Sequence, residues 1–251
     1  MSKRTLKNSA AFRFYEELND FLPRTKRKAT FDYPFSGNPA IKNPIEALGI
    51  PHTEVDLILV NGQSVGFDYN LKEGDLVSVY PVFESIDISP IVKLRDTPLR
   101  NSIFVVDIHL GKLLRLLRLF GFDCTSCDDD AKIVQISIQE KRIILTRDRQ
   151  LLHRRDVTHG YCVRSTHPDI QIKEVLKRFD LYSQIKLFYR CTLCNEIIRP
   201  IAKSDILHRL PPKTRQNFNE FYFCPGCERI YWEGTHYKKL KNKIERLFSD
   251  S

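Results

Sequence analysis

Four cysteines in two Cys-x-x-Cys pairs, Cys191/Cys194 and Cys224/Cys227, are the most specific chemical signal in this sequence. Each pair has the spacing of a knuckle in which backbone amides support the thiolates, and two knuckles supply four tetrahedral ligands for zinc. Four thiolates leave no open position, so the expected zinc is structural. A second set of residues is acidic. Asp107 follows the β-branched run at residues 103–106, Asp148 follows the apolar run at residues 142–146, and Asp128, Asp129 and Asp130 stand between them. Carboxylates gathered beyond the ends of buried strands repel one another unless divalent cations neutralise them. Mg2+ or Mn2+, held by a few carboxylates and water, suits that setting and the hydrolysis of a phosphodiester. Lys112, Arg115 and Arg118 recur every third residue, and Arg147 adjoins Asp148. These four cations suit the phosphates flanking a scissile bond.

Taken singly, each feature also has a plainer reading. Asp107 and Asp148 both precede a helical pattern, and capping a helix is common work for Asp. The triplet fits a solvated loop, and the cations fit an exposed helix face. A third Cys-x-x-Cys, Cys124/Cys127, reads as local variation rather than a redox pair. His109 and His153 read as structural or exposed.

The elements that must position these groups alternate. The strand at 103–106 leads to a helix whose buried face is Leu110, Leu113, Leu114, Leu117 and Phe120, stopped by Gly121. Next come a helix at about 131–140 with Ile133, Val134, Ile136 and Ile138, a strand at 142–146, a short helix at Leu151 and Leu152, a strand at 160–164 and a helix at 169–179. This alternation predicts an α/β domain with a parallel sheet, where ligands collect beyond the carboxyl ends of the strands. The 29 residues between the cysteine pairs hold a helix at about 204–210, ended by Pro211-Pro212.

The N-terminal region reads differently. Strands at 11–18 and 29–35 flank a basic loop with Arg24, Lys26, Arg27 and Lys28, which reads as solvated. A helix enters at Asn43-Pro44 and exits at Gly49. A hairpin turns at Asn61-Gly62, and after Gly74 a last strand spans 76–82. The order β-β-α-β-β-β predicts a small β-grasp sheet. A linker at 89–98 separates it from the alternating region, giving expected domains at 1–90, 100–185 and 186–251.

The composition sets bounds. Hydrophobic residues make up 42% of the chain, enough for packed cores, and no apolar run approaches the ~18 residues of a membrane span. The basic N-terminus has no apolar segment behind it, so a cytoplasmic protein with thiols or metal ligands is expected rather than a secreted disulfide framework. Residues 1–95 hold 12 basic and 12 acidic side chains, so the whole net charge of +9 lies beyond them, in 28 basic and 19 acidic side chains. That asymmetry fits a polyanionic partner for the C-terminal two-thirds, and on charge alone it fits a solubilising surface equally well.

The phrase VVDIHLGKLLRLLRLFGFD, with DDD and RIILTRDRQLL after it, closely resembles the RNase domain named after the C-terminus of the Mut-seven exonuclease, a family related to PIN nucleases. The later YWEGTH resembles the end of that family's zinc ribbon, and His236 within it reads as packing beside Trp232. The resemblance implies a PIN-like fold and a metal-dependent ribonuclease using Asp107, Asp148 and one or more of Asp128, Asp129 and Asp130, without singling out a member of the triplet. Such nucleases usually have a fourth acid, for which Asp156 is a candidate. GIPHTEVDLILVNGQSV with EGDLVSVYPVFE resembles the ubiquitin-like domains related to sulfur carriers. Sulfur carriage needs a free C-terminal Gly-Gly, and here the last strand runs into FESIDISP instead, so this region is expected to bind RNA or a protein partner. The alternative for the whole chain is a non-catalytic RNA-binding protein that uses the basic surface and the ribbon.

Overall fold

A computed structural model of the chain describes residues 8–81, 102–234, 237, 241 and 242. The expected linker at 89–98, the end of the last N-terminal strand, His236 and most of the basic tail lie outside these residues.

Strand β1 (Asn8–Phe14) turns Ala10, Phe12 and Phe14 inward at alternate positions, as the two-residue period of a strand requires. It pairs antiparallel with β2 (Phe31–Phe35). Helix α1 (Lys42–Ala47) adds Ile45 to the core and ends before Gly49, whose φ of +88° suits glycine. β3 (Leu57–Val60) and β4 (Gln63–Ser64) form the expected hairpin. Its turn residues Asn61 and Gly62 have φ of +53° and +82°, the two positive values that a tight turn matched to strand twist demands. β5 (Leu76–Tyr80) runs parallel to β1 and antiparallel to β3, giving the order β2-β1-β5-β3-β4. This is the β-grasp sheet. The first strand starts and ends earlier than the expected 11–18, and it ends where the chain turns at Glu16, φ +44°, into a 3-10 turn that buries Leu18 and Phe21. In the basic loop, Arg27 donates to the carbonyls of Leu22 and Asp20, while Lys26 lies 4.7 Å over the Phe31 ring.

The central segment alternates as its hydrophobic periods predict, with one further strand, at Cys124–Cys127, that the sequence did not mark. β6 (Phe104–Asp107) ends on Asp107 itself, and after a 3-10 turn α2 (Gly111–Leu119) buries Leu113, Leu114 and Leu117, with Leu110 and Phe120 at its two ends. β7 (Cys124–Cys127) returns parallel to β6. The chain continues through α3 (Asp130–Glu140), β8 (Ile143–Thr146), α4 (Arg149–Leu152), β9 (Gly160–Cys162), parallel to β8, and α5 (Pro168–Arg178), which packs on α2. On α3 the buried residues are Ile133, Val134 and Ser137, while Ile138 is 55% exposed.

After α5 come β10 (Arg199–Ile201), α6 (Lys203–Ile206), α7 (Pro212–Asn217), β11 (Phe221–Phe223) and β12 (Ile230–Tyr231), the strands forming an antiparallel sheet in the order β10-β11-β12. Pro212, expected as part of a stop, instead opens α7, because the first helical position needs no amide hydrogen.

The chain divides into two compact units, residues 1–101 with 128–163, and residues 102–127 with 164–251. In the first, Glu54 is fully buried and accepts the amide of Cys162 at 2.5 Å, and the His52 ring meets the Val157 carbonyl at 2.7 Å. Arg149 stacks 4.9 Å over Phe21. The β-grasp segment is thus packed directly on α4 and β9.

In the second unit the chain reverses at Gly121, φ +93°, where an added Cβ would sit 2.5 Å from the Lys186 carbonyl oxygen. The Lys186 amide itself donates to the Phe120 carbonyl at 2.9 Å, so the two backbones are held together. Gly121→Ala is therefore expected to destabilise the chain by about 2 kcal/mol or more, read as a lowered urea midpoint. An unchanged midpoint would show that this approach is not tight.

Candidate acidic site and metal centre

Asp107, Asp129 and Asp148 share one local arrangement. Asp107 Oδ1 accepts the His109 amide at 3.0 Å, Asp129 Oδ1 accepts the Lys132 amide at 2.8 Å, and Asp148 Oδ1 accepts the Gln150 amide at 2.8 Å. Each acid follows or ends a strand and caps the helical turn after it, so the capping expected from sequence is present at Asp107 and Asp148, and Asp129, read from sequence as part of a solvated loop, caps as well. Asp128 occupies the bend before the cap and Asp130 opens α3. Asp128, Asp129, Asp130 and Asp148 are exposed, and Asp107 is half-buried. A cap fixes the rotamer of a carboxylate while occupying one oxygen, which leaves Oδ2 of Asp129 and Asp148 as the atom that can face a cation.

Among the described residues, only the cysteines gather three or more candidate metal ligands at one point. Within the first unit, Asp128, Asp129, Asp130 and Asp148 do not close into such a group. Asp156, the candidate fourth acid, is held by the Arg154 guanidinium at 3.1 Å, and that hydrogen bond lowers its pKa. Arg154 escaped sequence reasoning. Its pKa is raised first by the bond to Asp156 and then by the charges of Asp156, Asp130 and Asp129, so it stands in the field of the triplet.

The basic stripe separates. Lys112 and Arg115 are exposed on α2, and Arg147 is exposed beside Asp148. Arg118, expected to meet substrate, is 7% exposed and faces inward. Its Nε donates to the Cys124 carbonyl at 2.9 Å, and its Nη1 to the carbonyls of Leu193 at 2.5 Å and Thr192 at 3.4 Å. Burial lowers its pKa, against the pull of the neighbouring thiols and Asp123. It is a structural cation.

The Cys124/Cys127 pair lies in β7, where residues three apart are ~10 Å apart along the strand. That exceeds the ~7 Å limit for bridging two cysteines, and with Cys124 buried the pair is not a disulfide switch.

The remaining four cysteines converge. Their sulfurs lie within 4.8 Å of one another, with Cys194–Cys224 at 3.2 Å and Cys191–Cys227 at 3.5 Å. A tetrahedral zinc with sulfur at ~2.3 Å places its ligands ~3.8 Å apart. The two knuckles repeat one another. The Cys191 amide donates to the Glu196 carbonyl and the Cys224 amide to the Arg229 carbonyl, at 2.8 and 2.9 Å. Asn195 and Glu228 then turn back with φ of +73° and +57°. Burial pushes the Cys191 thiol up, but hydrogen bonds from the amides of Cys194 and Leu193 and from the Tyr231 hydroxyl outweigh it and hold the pKa at about 6. Burial pushes Cys224 up to about 12. Four thiols so unequal become four thiolates together when a cation deprotonates them, and the donor set fits zinc.

The first knuckle is also fastened to α2 and β7. Besides Arg118, Asn195 accepts the Cys124 amide and donates to Asp123, both at 3.0 Å, and Arg190 pairs with Asp123 at 3.3 Å. None of these contacts was visible in the sequence, whose only hint is that these polar residues adjoin Cys191 and Cys124.

Comparison with family models fits this arrangement. The model described as Mut7-C RNAse domain matches residues 102–244 and the model described as Mut7-C ubiquitin matches residues 7–87. The first covers more than half of the chain, which belongs to the Mut7-C RNase domain family. That match runs unbroken from β6 through the cysteine knuckles. Neither a curated protein nor a solved structure matches the chain. Among the described residues no helix is long and apolar enough to cross a membrane.

Proposed function

We propose that this protein is a metal-dependent ribonuclease that hydrolyses RNA phosphodiester bonds. Asp107, Asp148 and one or more of Asp128, Asp129 and Asp130 hold Mg2+ or Mn2+, and zinc on the four cysteines is structural. The observation that carries the reading is the repeated strand-then-capped-carboxylate, in a chain of an RNase-domain family. Hard carboxylate oxygens suit Mg2+ and Mn2+. The bound ion supplies Lewis acidity that makes a water acidic and offsets charge on the phosphate. The caps keep each carboxylate in a single orientation before substrate arrives, and Lys112, Arg115 and Arg147 hold neighbouring phosphates. The modules divide as 1–90, 100–185 and 186–251, with the ubiquitin-like one available to a protein partner and the protein acting in the cytoplasm.

The test uses the chemistry of the cap. Asn caps a helix about as well as Asp. Asp107→Asn and Asp148→Asn should therefore keep the melting temperature while lowering Mn2+-dependent RNA cleavage at least ~100-fold, more than the loss of an outer-shell partner costs. If both variants cut as fast as the wild type, the acids are caps alone. A wild type that cuts nothing yet binds RNA in a salt-sensitive way favours the binding-protein reading.

A further inference from the structure

Beside the zinc knuckles lies a cavity of about 540 Å³, within the ~300–1,000 Å³ typical of ligand sites. Its walls are aromatic. Phe188 and Tyr237 pack against each other with ring centroids 4.1 Å apart and a 31° tilt, and Tyr222 and Trp232 add further ring surface. Two arginines, Arg190 and Arg229, line it against a single acid, Glu233. Arg190 is bound at one end, to Asp123 and to the Asn195 carbonyl, yet its Nε is buried without a hydrogen-bond partner. Arg190 thus stands at the cavity wall with one donor still unspent, and a small turn of the guanidinium would offer it to an acceptor.

We propose that this cavity takes one unpaired base of a single-stranded RNA, with the adjoining phosphate on Arg190 and Arg229. Flat aromatic walls accept the face of any base, and single-stranded RNA is the form whose bases are free to be splayed out and stacked. The arginines meet the charge that such a base brings with it. The net charge of +9 beyond residue 95 draws the same polymer to this half of the chain. Because the first knuckle is joined to α2 and β7 by Arg118 and Asn195, a strand anchored here is anchored to the unit that carries Asp107. For the identity of the polymer, the proposal rests on the ribonuclease reading.

Trp232, the sole tryptophan of the chain, reports directly on the cavity. The full-length, zinc-loaded Asp148→Asn protein is titrated with a short unpaired RNA oligonucleotide, with an abasic ribose-phosphate chain of equal length, and with an RNA duplex. The unpaired oligonucleotide should quench Trp232 fluorescence while the other two leave it nearly unchanged. Arg229→Ala and Tyr222→Ala should each weaken that binding about tenfold, and Tyr222→Phe should restore it, because the ring and not the hydroxyl does the stacking. Zinc content is measured alongside; if Tyr222→Ala loses zinc, the exposed Arg229 decides. Equal quenching by the abasic chain, no quenching by any RNA, or full affinity in Arg229→Ala overturns the proposal. Cleavage by the wild type with a silent Trp232 would remove the cavity and leave the nuclease. A base-specific signal in a wild type that cuts nothing would do the reverse.

Discussion

Cys191→Ser is expected to lose zinc and, with it, the folded state of the ribbon. The wild type should retain about one zinc per chain, and the variant far less, under the same gentle chelation. Apparent zinc binding energies for structural sites are ~10–16 kcal/mol, comparable with the entire stability of an ordinary domain. The ribbon has little else to stand on. Among the described residues its buried clusters are small, one formed by Cys191, Ile198 and Cys224, the other by Ile206, Leu210 and Phe221. Without the ion the four sulfurs are a half-buried thiol cluster whose members resist ionising together, since Cys224 is pushed up to about 12. The sign of the pH dependence is set by Cys191, held at about 6 in the fold against a free-thiol value of 9.0. A depressed folded pKa contributes stability that is complete above the unfolded value and is lost as pH falls towards the folded one. In the metal-free chain that window runs from about pH 9 down to about pH 6. In the zinc-loaded chain protons compete with the metal, so acid should release zinc and structure together. Far-UV circular dichroism with a colorimetric zinc assay reads both; a metal-free preparation that keeps the wild-type spectrum would refute a structural zinc.

Period and spacing account for the features that were legible in the sequence. The hairpin at Asn61-Gly62, the capped carboxylates and the four-thiol cluster are each set by residues close in the chain or by chemistry with one solution. The contacts that escaped join distant residues. Glu54 and Cys162 are 108 residues apart, and no local pattern says that a carboxylate from the β-grasp segment will be buried on the end of β9. For the same reason the N-terminal segment looked detachable, although Phe21, His52 and Glu54 pack it against α4, β9 and the chain between them.

The basic stripe failed for a geometric reason. Residues three apart on an α-helix are separated by about 300°, so a row at that spacing drifts about 60° round the axis at each step. Lys112 and Arg115 stay on the exposed side, but by Arg118 the row has turned through about 120° and arrives next to the Leu114 edge of the buried face. A long cation there needs acceptors, and the carbonyls of Cys124, Thr192 and Leu193 supply them.

Arg118→Leu consequently carries the second large effect. Leucine fits the apolar edge of α2 but leaves three carbonyls without their donor, two of them in the zinc knuckle. An unsatisfied buried acceptor costs ~1–3 kcal/mol, and removing one partner of a buried charged arrangement costs ~3–5 kcal/mol. The expected loss is therefore about 3–5 kcal/mol in urea unfolding, against ~0–0.5 kcal/mol for Arg115→Leu three residues earlier on the exposed face. The two variants remove the same charge from the same helix. A surface role for both would lower RNA affinity equally and leave stability alone. The buried role predicts that only Arg118→Leu unfolds early, and that it also sheds zinc faster, because the carbonyls it orients belong to the turn that presents Cys191 and Cys194. Equal urea midpoints for the two variants would return Arg118 to the substrate face.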